Sequence, residues 1–176
     1  MSRTLIAIAA LFAVALTESG YSQTASRTEV LQQAPTDQPA FFPAALLQSQ
    51  YERMDLNKIL TVRLMEGGNY NVNIRHLTAR ETAMVHARIA DIWVITEGAG
   101  SIVTGGELVD PKNSAAAGDQ TASAIRGGNA REVKVGDVIY IPPGLPHQMA
   151  EVRGKVTFLN IRFDEKTLED ARRASR

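Results

Sequence analysis

The sequence predicts an all-β domain, an antiparallel sandwich or barrel, with a short helix near each end. Many short runs alternate between apolar and polar residues, and glycine-rich turns separate them. The segment Gly136–His147 is the most informative of these, because its apolar strand stops at Pro142 and Pro143. Neither proline can donate to a central ladder, and Gly144 can adopt the turn that carries His147 back into the fold. This turn would hold one imidazole at a defined point, as a site requires.

The first 22 of the 176 residues are predicted to be a secretory signal peptide. Arg3 precedes an apolar run from Leu5 to Leu16, which is shorter than the ~20 residues that span a bilayer. We expect cleavage after Ser22, or otherwise between Leu16 and Ala25, and an uncleaved membrane anchor is the alternative. No cysteine follows the run, which excludes attachment of the lipoprotein type. The sequence therefore predicts a secreted or periplasmic protein with no membrane association after cleavage.

Composition narrows the functional class. The chain has no cysteine, which excludes disulfides, thiolate chemistry and cysteine metal ligands. Lys+Arg and Asp+Glu each total 19, and this balance does not favour binding to nucleic acid or to an anionic membrane. A compact enzyme or a small-molecule binder fits better.

Residues 23–40 are polar and are predicted to form a flexible linker before a domain over residues 41–164. Pro43 occupies a favourable first position for a helix that runs to Arg53. The predicted strands are Ile59–Met65, Tyr70–Leu77, Asp91–Thr96, Ser101–Thr104, Val133–Val135, Val138–Ile141, His147–Val152 and Lys155–Phe163.

Two further segments differ from this strand pattern. Between Gly105 and Gly128 the periodicity is weak, which is typical of a functional lid or a disordered insertion. Residues 165–176 close the chain with a helix over Glu165–Arg173, whose early acids and late arginines suit the helix dipole.

Gly136–His147 resembles the second motif of the cupin superfamily. That motif reads Gly, five residues, Pro, one residue, Gly, two residues, His, three residues, Asn. The residues that keep this spacing are Gly136, Pro142, Gly144 and His147. Glu151 stands where the family has asparagine, and the segment His86–Gly98 resembles a degenerate first motif (His-x-His, three or four residues, Glu, six residues, Gly). The resemblance covers roughly Leu56 to Asp164 and implies a small cupin-type antiparallel β-barrel, a double-stranded β-helix, around a divalent metal.

The resemblance also implies the metal ligands. His86 matches the first histidine of the first motif, and His147 matches the histidine of the second motif. Asp91 stands for the glutamate, although it lies one residue nearer to the preceding histidine position than in the family. Two imidazoles and one carboxylate suit Fe(II) or another octahedral ion, and zinc also accepts them with water in the fourth place. We expect Fe, Mn, Ni or Zn, and no organic cofactor is implied.

Arg88 falls in the place of the second histidine, and it cannot ligate a metal because it stays protonated. It could clamp an anionic substrate group, pair with Asp91 or Glu151 and replace the metal, or turn outward. Besides Arg88, the residues predicted to contact a ligand in the barrel are Trp93, Tyr140, Met149 and Glu151.

Two sets of strand residues have alternative interpretations. His76 alternates with Val72 and Ile74 and is interpreted as a buried histidine of the core, facing the interior, rather than as a replacement ligand. Three strand arginines either converge on an anionic ligand or form a solvated face with salt bridges, and the second interpretation is favoured. They are Arg63, Arg75 and Arg162.

The sequence thus predicts an exported small cupin that binds a small molecule in its barrel at a metal held by two histidines and one aspartate. Oxygenase, isomerase and lyase activities all occur on this fold, and the fold alone does not select one. The alternative is a metal-free, non-catalytic module that binds a polar or anionic small ligand. The resemblance also implies a homodimer.

Overall fold

The structure is a computed structural model that describes residues 28–175, so the predicted signal peptide lies outside the described residues. No helix among these residues is long and apolar enough to cross a membrane. The elements are β1 (Glu29–Val30), α1 (Ala44–Asn57), β2 (Thr61–Glu66), β3 (Tyr70–Leu77), β4 (Ala83–Val85), β5 (Ile89–Thr104), β6 (Glu107–Val109), β7 (Lys112–Asn113), β8 (Gln120–Ala122), β9 (Ala124–Arg126), β10 (Asn129–Lys134), β11 (Val138–Ile141), β12 (His147–Asp164) and α2 (Glu165–Ala174).

Two long strands, β5 and β12, organise the fold. They pair antiparallel with each other; β12 also pairs with β3 and β4, and β5 also pairs with β10 and β11. The predicted all-β, cupin-type antiparallel barrel with a helix near each end is confirmed.

Each long strand unites two strands that the sequence predicts separately. The predicted breaks are shifts of register in the β5–β12 ladder rather than ends of strands. At one of them, Gly98 has a φ of +73°, and a Cβ there would lie 1.8 Å from the carbonyl oxygen of Lys155. Glycine therefore lets the two strands cross closely without ending either one.

The segment predicted to be a flexible linker is partly structured. Within residues 28–40, β1 pairs parallel with β2, and the Leu31 amide donates to the Arg63 carbonyl at 2.8 Å. Glu29 also forms an ion pair with Arg53 of α1, at 2.7 Å. Hydrogen bonds and an ion pair thus fix this segment along the edge of the sheet.

The segment between Gly105 and Gly128 is also structured in part. It contains four short strands, of which β6 and β9 form a hairpin-like pair. β8 pairs with β4 and so extends the main sheet. These backbone pairings, which weak periodicity does not reveal, attach the segment to the barrel.

Two apolar clusters stabilise the domain. One lies between α1 and the adjoining face of β2 and β3, and contains Tyr51, Met54, Val62, Leu64 and Ile74. The other fills one part of the barrel and includes Trp93, Ile95, Met149 and Phe158. Because Ile74 packs toward the helix, the alternate residues of β3, Asn73 and Arg75, line a cavity instead.

Candidate metal centre

A cavity of about 200 Å³ lies on the polar face of the barrel sheet. Its walls are formed by Thr28, Thr61, Arg63, Asn73, Arg75, Glu81, Met84, His86, Asp91, Trp93, His147, Asn160 and Arg162. The three predicted metal ligands meet in it, since one ligand atom from each of His86, Asp91 and His147 lies within 4.8 Å of the others. Asp91 Oδ2 lies 3.8 Å from His86 Nε2 and 3.9 Å from His147 Nε2.

The proline–glycine turn places His147 as the sequence predicts. Gly144 has a φ of +77°, and its amide donates to the carbonyl oxygen of His86 at 2.7 Å. The turn that begins β12 is thereby fastened to the residue that follows β4. Asp91 enters from β5, where it lies opposite Ile141 of β11.

The hydrogen bonds of both rings leave Nε2 free for a ligand. His147 Nδ1 lies 3.0 Å from the Leu145 carbonyl oxygen, which only accepts, so this nitrogen donates and Nε2 carries the lone pair. Burial lowers the pKa of His147, which keeps the ring neutral. The rings of His86 and His147 lie 5.4 Å apart.

Asp119 orients His86 and was missed in the sequence. Its Oδ2 lies 2.6 Å from His86 Nδ1, and its Oδ1 accepts the Ala87 amide at 2.9 Å. A carboxylate at Nδ1 fixes the proton there and turns Nε2 toward the cavity, as in carboxylate–histidine–metal arrangements. Asp119 lies in the segment of weak periodicity, 33 residues from His86, and no local pattern links the two.

Unpaired buried atoms show that the three residues fit a metal ion. Both carboxylate oxygens of Asp91 and Nε2 of His147 are buried without a hydrogen-bond partner. Such groups are costly to bury, and a cation between them would remove that cost. Ligand atoms ~2.1 Å from one ion lie roughly 3 to 3.5 Å apart. The distances of 3.8 and 3.9 Å from Asp91 Oδ2 to the two histidines would therefore shorten by roughly 0.3 to 0.9 Å on metal binding.

Arg162 is a close neighbour of this centre. Its Nε lies 3.0 Å from Asp91 Oδ1, although the N–H does not point at the oxygen, so the contact is an ion pair without an aligned hydrogen bond. Asp91 thus presents Oδ1 to the guanidinium and Oδ2 to the two histidines.

Arg88 does not take part in the site. It lies outside the cavity and pairs with Asp164 at 2.8 Å, where Asp164 also caps α2. Of its three predicted roles the outward one is found, so its prediction as a ligand contact is wrong. The spacing explains why. Four residues separate His86 from Asp91, which is a spacing that the first motif has between its second histidine and its glutamate. His86 therefore takes the place of the second histidine, and Met84 takes the place of the first. Met84 lines the cavity and lies opposite His147.

The other predicted ligand contacts divide between cavity, core and surface. Trp93 lines the cavity, with its ring 5.7 Å from that of His147. Met149 is fully buried in the apolar cluster, so it is core. Tyr140 is 53% exposed and hydrogen-bonds Glu165, and the exposed Glu151 lies beside Arg153. Tyr140 and Glu151 point away from the barrel because they occupy outward positions of β11 and β12.

The three strand arginines line the cavity and are also ion-paired. All three line the cavity, so they do not form a solvated strand face. Each is also paired with an acid, in the pairs Arg63–Glu66, Arg75–Glu81 and Arg162–Asp91.

His76 is a buried histidine of the core, as predicted. Its Nδ1 lies 2.9 Å from Thr157 Oγ1, and its Nε2 lies 3.6 Å from Asp55 of α1, beyond hydrogen-bond length. It therefore lies on the helix side of β3, away from the cavity.

Comparisons with solved structures bear on the fold. BH2720 from Bacillus halodurans is 16% identical, with a TM-score of 0.51 over 72% of this chain and 82% of its own. A cupin 2 conserved barrel domain protein from Rhodopseudomonas palustris is 19% identical, with a TM-score of 0.42 over 58% and 59%. The DMSP lyase DddQ from Ruegeria pomeroyi is 13% identical, with a TM-score of 0.42 over 59% and 45%. No protein-family profile and no curated protein matches the sequence.

At these identities the similarities concern the fold alone. The described residues form the cupin-type antiparallel fold that the sequence predicts, and the second motif lies at the turn where its spacing predicts it.

Proposed function

We propose that this protein binds a divalent metal ion through His86, Asp91 and His147 and acts on a small molecule in the adjoining cavity. The convergence of these three ligand atoms carries the proposal, together with the burial of Asp91 and His147, whose ligand atoms have no hydrogen-bond partner. Two imidazoles and one carboxylate leave positions open for a substrate. When bound, such an ion supplies Lewis-acid chemistry or activates water or oxygen, the chemistry of oxygenases, isomerases and lyases.

The protein's own residues would prepare the site for that ion. Asp119 holds a proton on Nδ1 of His86, and the Leu145 carbonyl holds one on Nδ1 of His147. The Nε2 atom of each neutral ring would therefore bind the ion without first losing a proton. Met84 and Trp93 add apolar wall beside the ligands and limit the water that reaches them. The side chains would then position a substrate on the open side.

A second function is favoured by one observation, the ion pair between Arg162 and Asp91 at 3.0 Å. A guanidinium already neutralises the carboxylate, so a metal-free cavity that binds a polar or anionic ligand without turnover is the competing proposal. In this metal-free proposal, Arg162 has the role that the sequence analysis considered for Arg88, which is to pair with the carboxylate and replace the metal.

Metal content decides between the two. We would measure it by mass spectrometry on protein purified without a histidine tag and reconstituted with Fe(II), Mn(II), Ni(II) or Zn(II). About one ion per chain is expected in the wild type and a near-complete loss in His147→Ala. His76→Gln is the matched control, because it removes another buried histidine and should retain the ion. Absence of metal from the wild type under every condition would refute the metal site.

We also propose export and dimer formation, which rest on the leader-like segment and on the resemblance. Fractionation of expressing cells should recover the chain outside the cytoplasm with its N-terminus near Gln23. Light scattering should give twice the mass of the processed chain. A cytoplasmic, full-length product or a monomeric mass would contradict the respective proposal.

A further inference from the structure

We propose that the cavity beside the metal centre takes a small hydroxycarboxylate, with its carboxylate held among Arg63, Arg75 and Arg162. The inference rests on the proposed function for its choice of site, and it names the class of substrate. It depends on the arginines, on their charge balance, and on unpaired polar atoms of the cavity wall.

The three guanidiniums come from neighbouring strands and share one face of the sheet. Arg63 of β2 lies opposite Asn73, Asn73 lies opposite Asn160, and Asn160 lies opposite Trp93. This row across β2, β3, β12 and β5 lines the cavity. Arg75 and Arg162 lie two residues from the row on β3 and β12, and the side-chain period of two puts them on the same face.

These arginines retain donors for a ligand. Arg63 bonds Asn73 and Glu66, and Arg75 bonds Thr61 and Glu81. A guanidinium has five N–H groups in a planar fork that matches a carboxylate. The side chains are only 20 to 25% exposed, so an anion would meet them in partly dehydrated surroundings, where charge-assisted hydrogen bonds are strong.

The charge balance also calls for an anion. One carboxylate accompanies each of the three arginines, so the arginines are formally neutralised without a metal. A divalent ion at Asp91 would leave a positive excess in this confined space. Burial and the neighbouring charge of Arg162 already lower the pKa of Arg75 to about 10. A bound anion would oppose both effects by favouring the charged guanidinium.

Unpaired wall atoms indicate a hydroxyl group as well. Eight buried side-chain atoms of the described residues lack a hydrogen-bond partner, and all but His76 Nε2 belong to residues that line this cavity. Asn160 Oδ1 and Glu81 Oε2 are acceptors that need a donor, and a ligand hydroxyl supplies one. Trp93 Nε1 is a donor that a ligand oxygen would satisfy.

The cavity limits the size of the ligand. Its volume of about 200 Å³ corresponds to that of roughly seven water molecules. Most drug-sized and cofactor-sized ligands occupy larger pockets, of about 300 to 1,000 Å³. Acids with a short carbon chain fit this space, and a nucleotide does not.

Calorimetric titration at fixed ionic strength tests the inference with malate, succinate and inorganic phosphate as probes. Metal-free and metal-loaded wild type are both titrated. We expect malate to bind at least tenfold more tightly than succinate, which lacks the hydroxyl, and more tightly than phosphate. Equal affinity for malate and succinate would overturn the assignment of a hydroxyl. Tighter binding of phosphate, or no binding of any probe, would overturn the carboxylate.

A double variant tests the arginines without leaving a buried charge unpaired. Arg75→Met with Glu81→Gln removes both partners of one ion pair, and circular dichroism checks its fold. Malate affinity should fall at least tenfold while metal content stays at the wild-type level. Arg88→Gln, at the outward arginine, is the matched control and should bind malate like the wild type. Unchanged affinity in a folded double variant would refute the inference, whereas malate binding by a wild type that takes up no metal under any condition would refute only the proposed function.

Discussion

Replacing Asp119 by asparagine is the sharpest test of how the metal centre is built. Asparagine keeps an oxygen for the Ala87 amide but would present its NH₂ group to His86 Nδ1. Two donors cannot face each other, so the ring would move its proton to Nε2, the atom needed by the metal. Loss of an outer-shell partner typically costs 10- to 100-fold in metal affinity, about 1.4 to 2.7 kcal/mol.

The assay is competition between the protein and a chelating dye for Zn²⁺ or Mn²⁺, which gives the dissociation constant. Asp119→Asn should raise it at least tenfold, with the fold intact by circular dichroism. Glu107→Gln is the control, because Glu107 lies in the same segment and, among the described residues, pairs with the exposed Arg126 away from the cavity. A dissociation constant within twofold of the wild type for Asp119→Asn would refute the assigned role of the carboxylate.

Three further outcomes are expected. Met84→His supplies the third histidine of the motif and should lower the metal dissociation constant at least tenfold in the same competition assay; no gain would place that side chain away from the ion. Phe158→Ala should reduce the free energy of unfolding in urea by about 3 to 5 kcal/mol, because Phe158 is fully buried, and a loss under 1 kcal/mol would contradict its place in the core. Burial lowers the pKa of His76, so the unfolded chain takes up its proton first, and metal-free protein should lose stability as the pH falls below about 6.5. His76→Gln should weaken that dependence between pH 7.5 and 5.5, and an unchanged dependence would count against the assignment.

The turn to His147 could be predicted because its information is local. Two prolines and a glycine at fixed spacing determine where the strand stops and how the chain turns. His86 and Asp91 were predicted from the resemblance of their segment to the first motif, because His86 lies between β4 and β5 and strand alternation does not place it. Arg88 was misplaced because a degenerate motif admits two alignments, and only the cavity wall shows that Met84 and His86 are the matching pair.

The side of the sheet that faces the cavity was not evident from alternation. Along β3 the apolar residues Val72 and Ile74 suggested an interior face, but α1 covers that face and completes an apolar core there. The polar face with Arg75 was therefore free to line the cavity. A strand pattern gives two faces, and the packing of a distant helix decides which one faces the barrel. Asp119 shows the same limit, since its contact with His86 depends on the pairing of β8 with β4.

The parallel pairing of β1 with β2 has a practical consequence for handling this protein. Thr28, immediately before β1, forms part of the cavity wall. Any sequence fused upstream leaves the domain from beside the candidate ligands, and an N-terminal polyhistidine tag would bring competing imidazoles to that position. Purification tags therefore belong after α2, because none of its described residues lines the cavity.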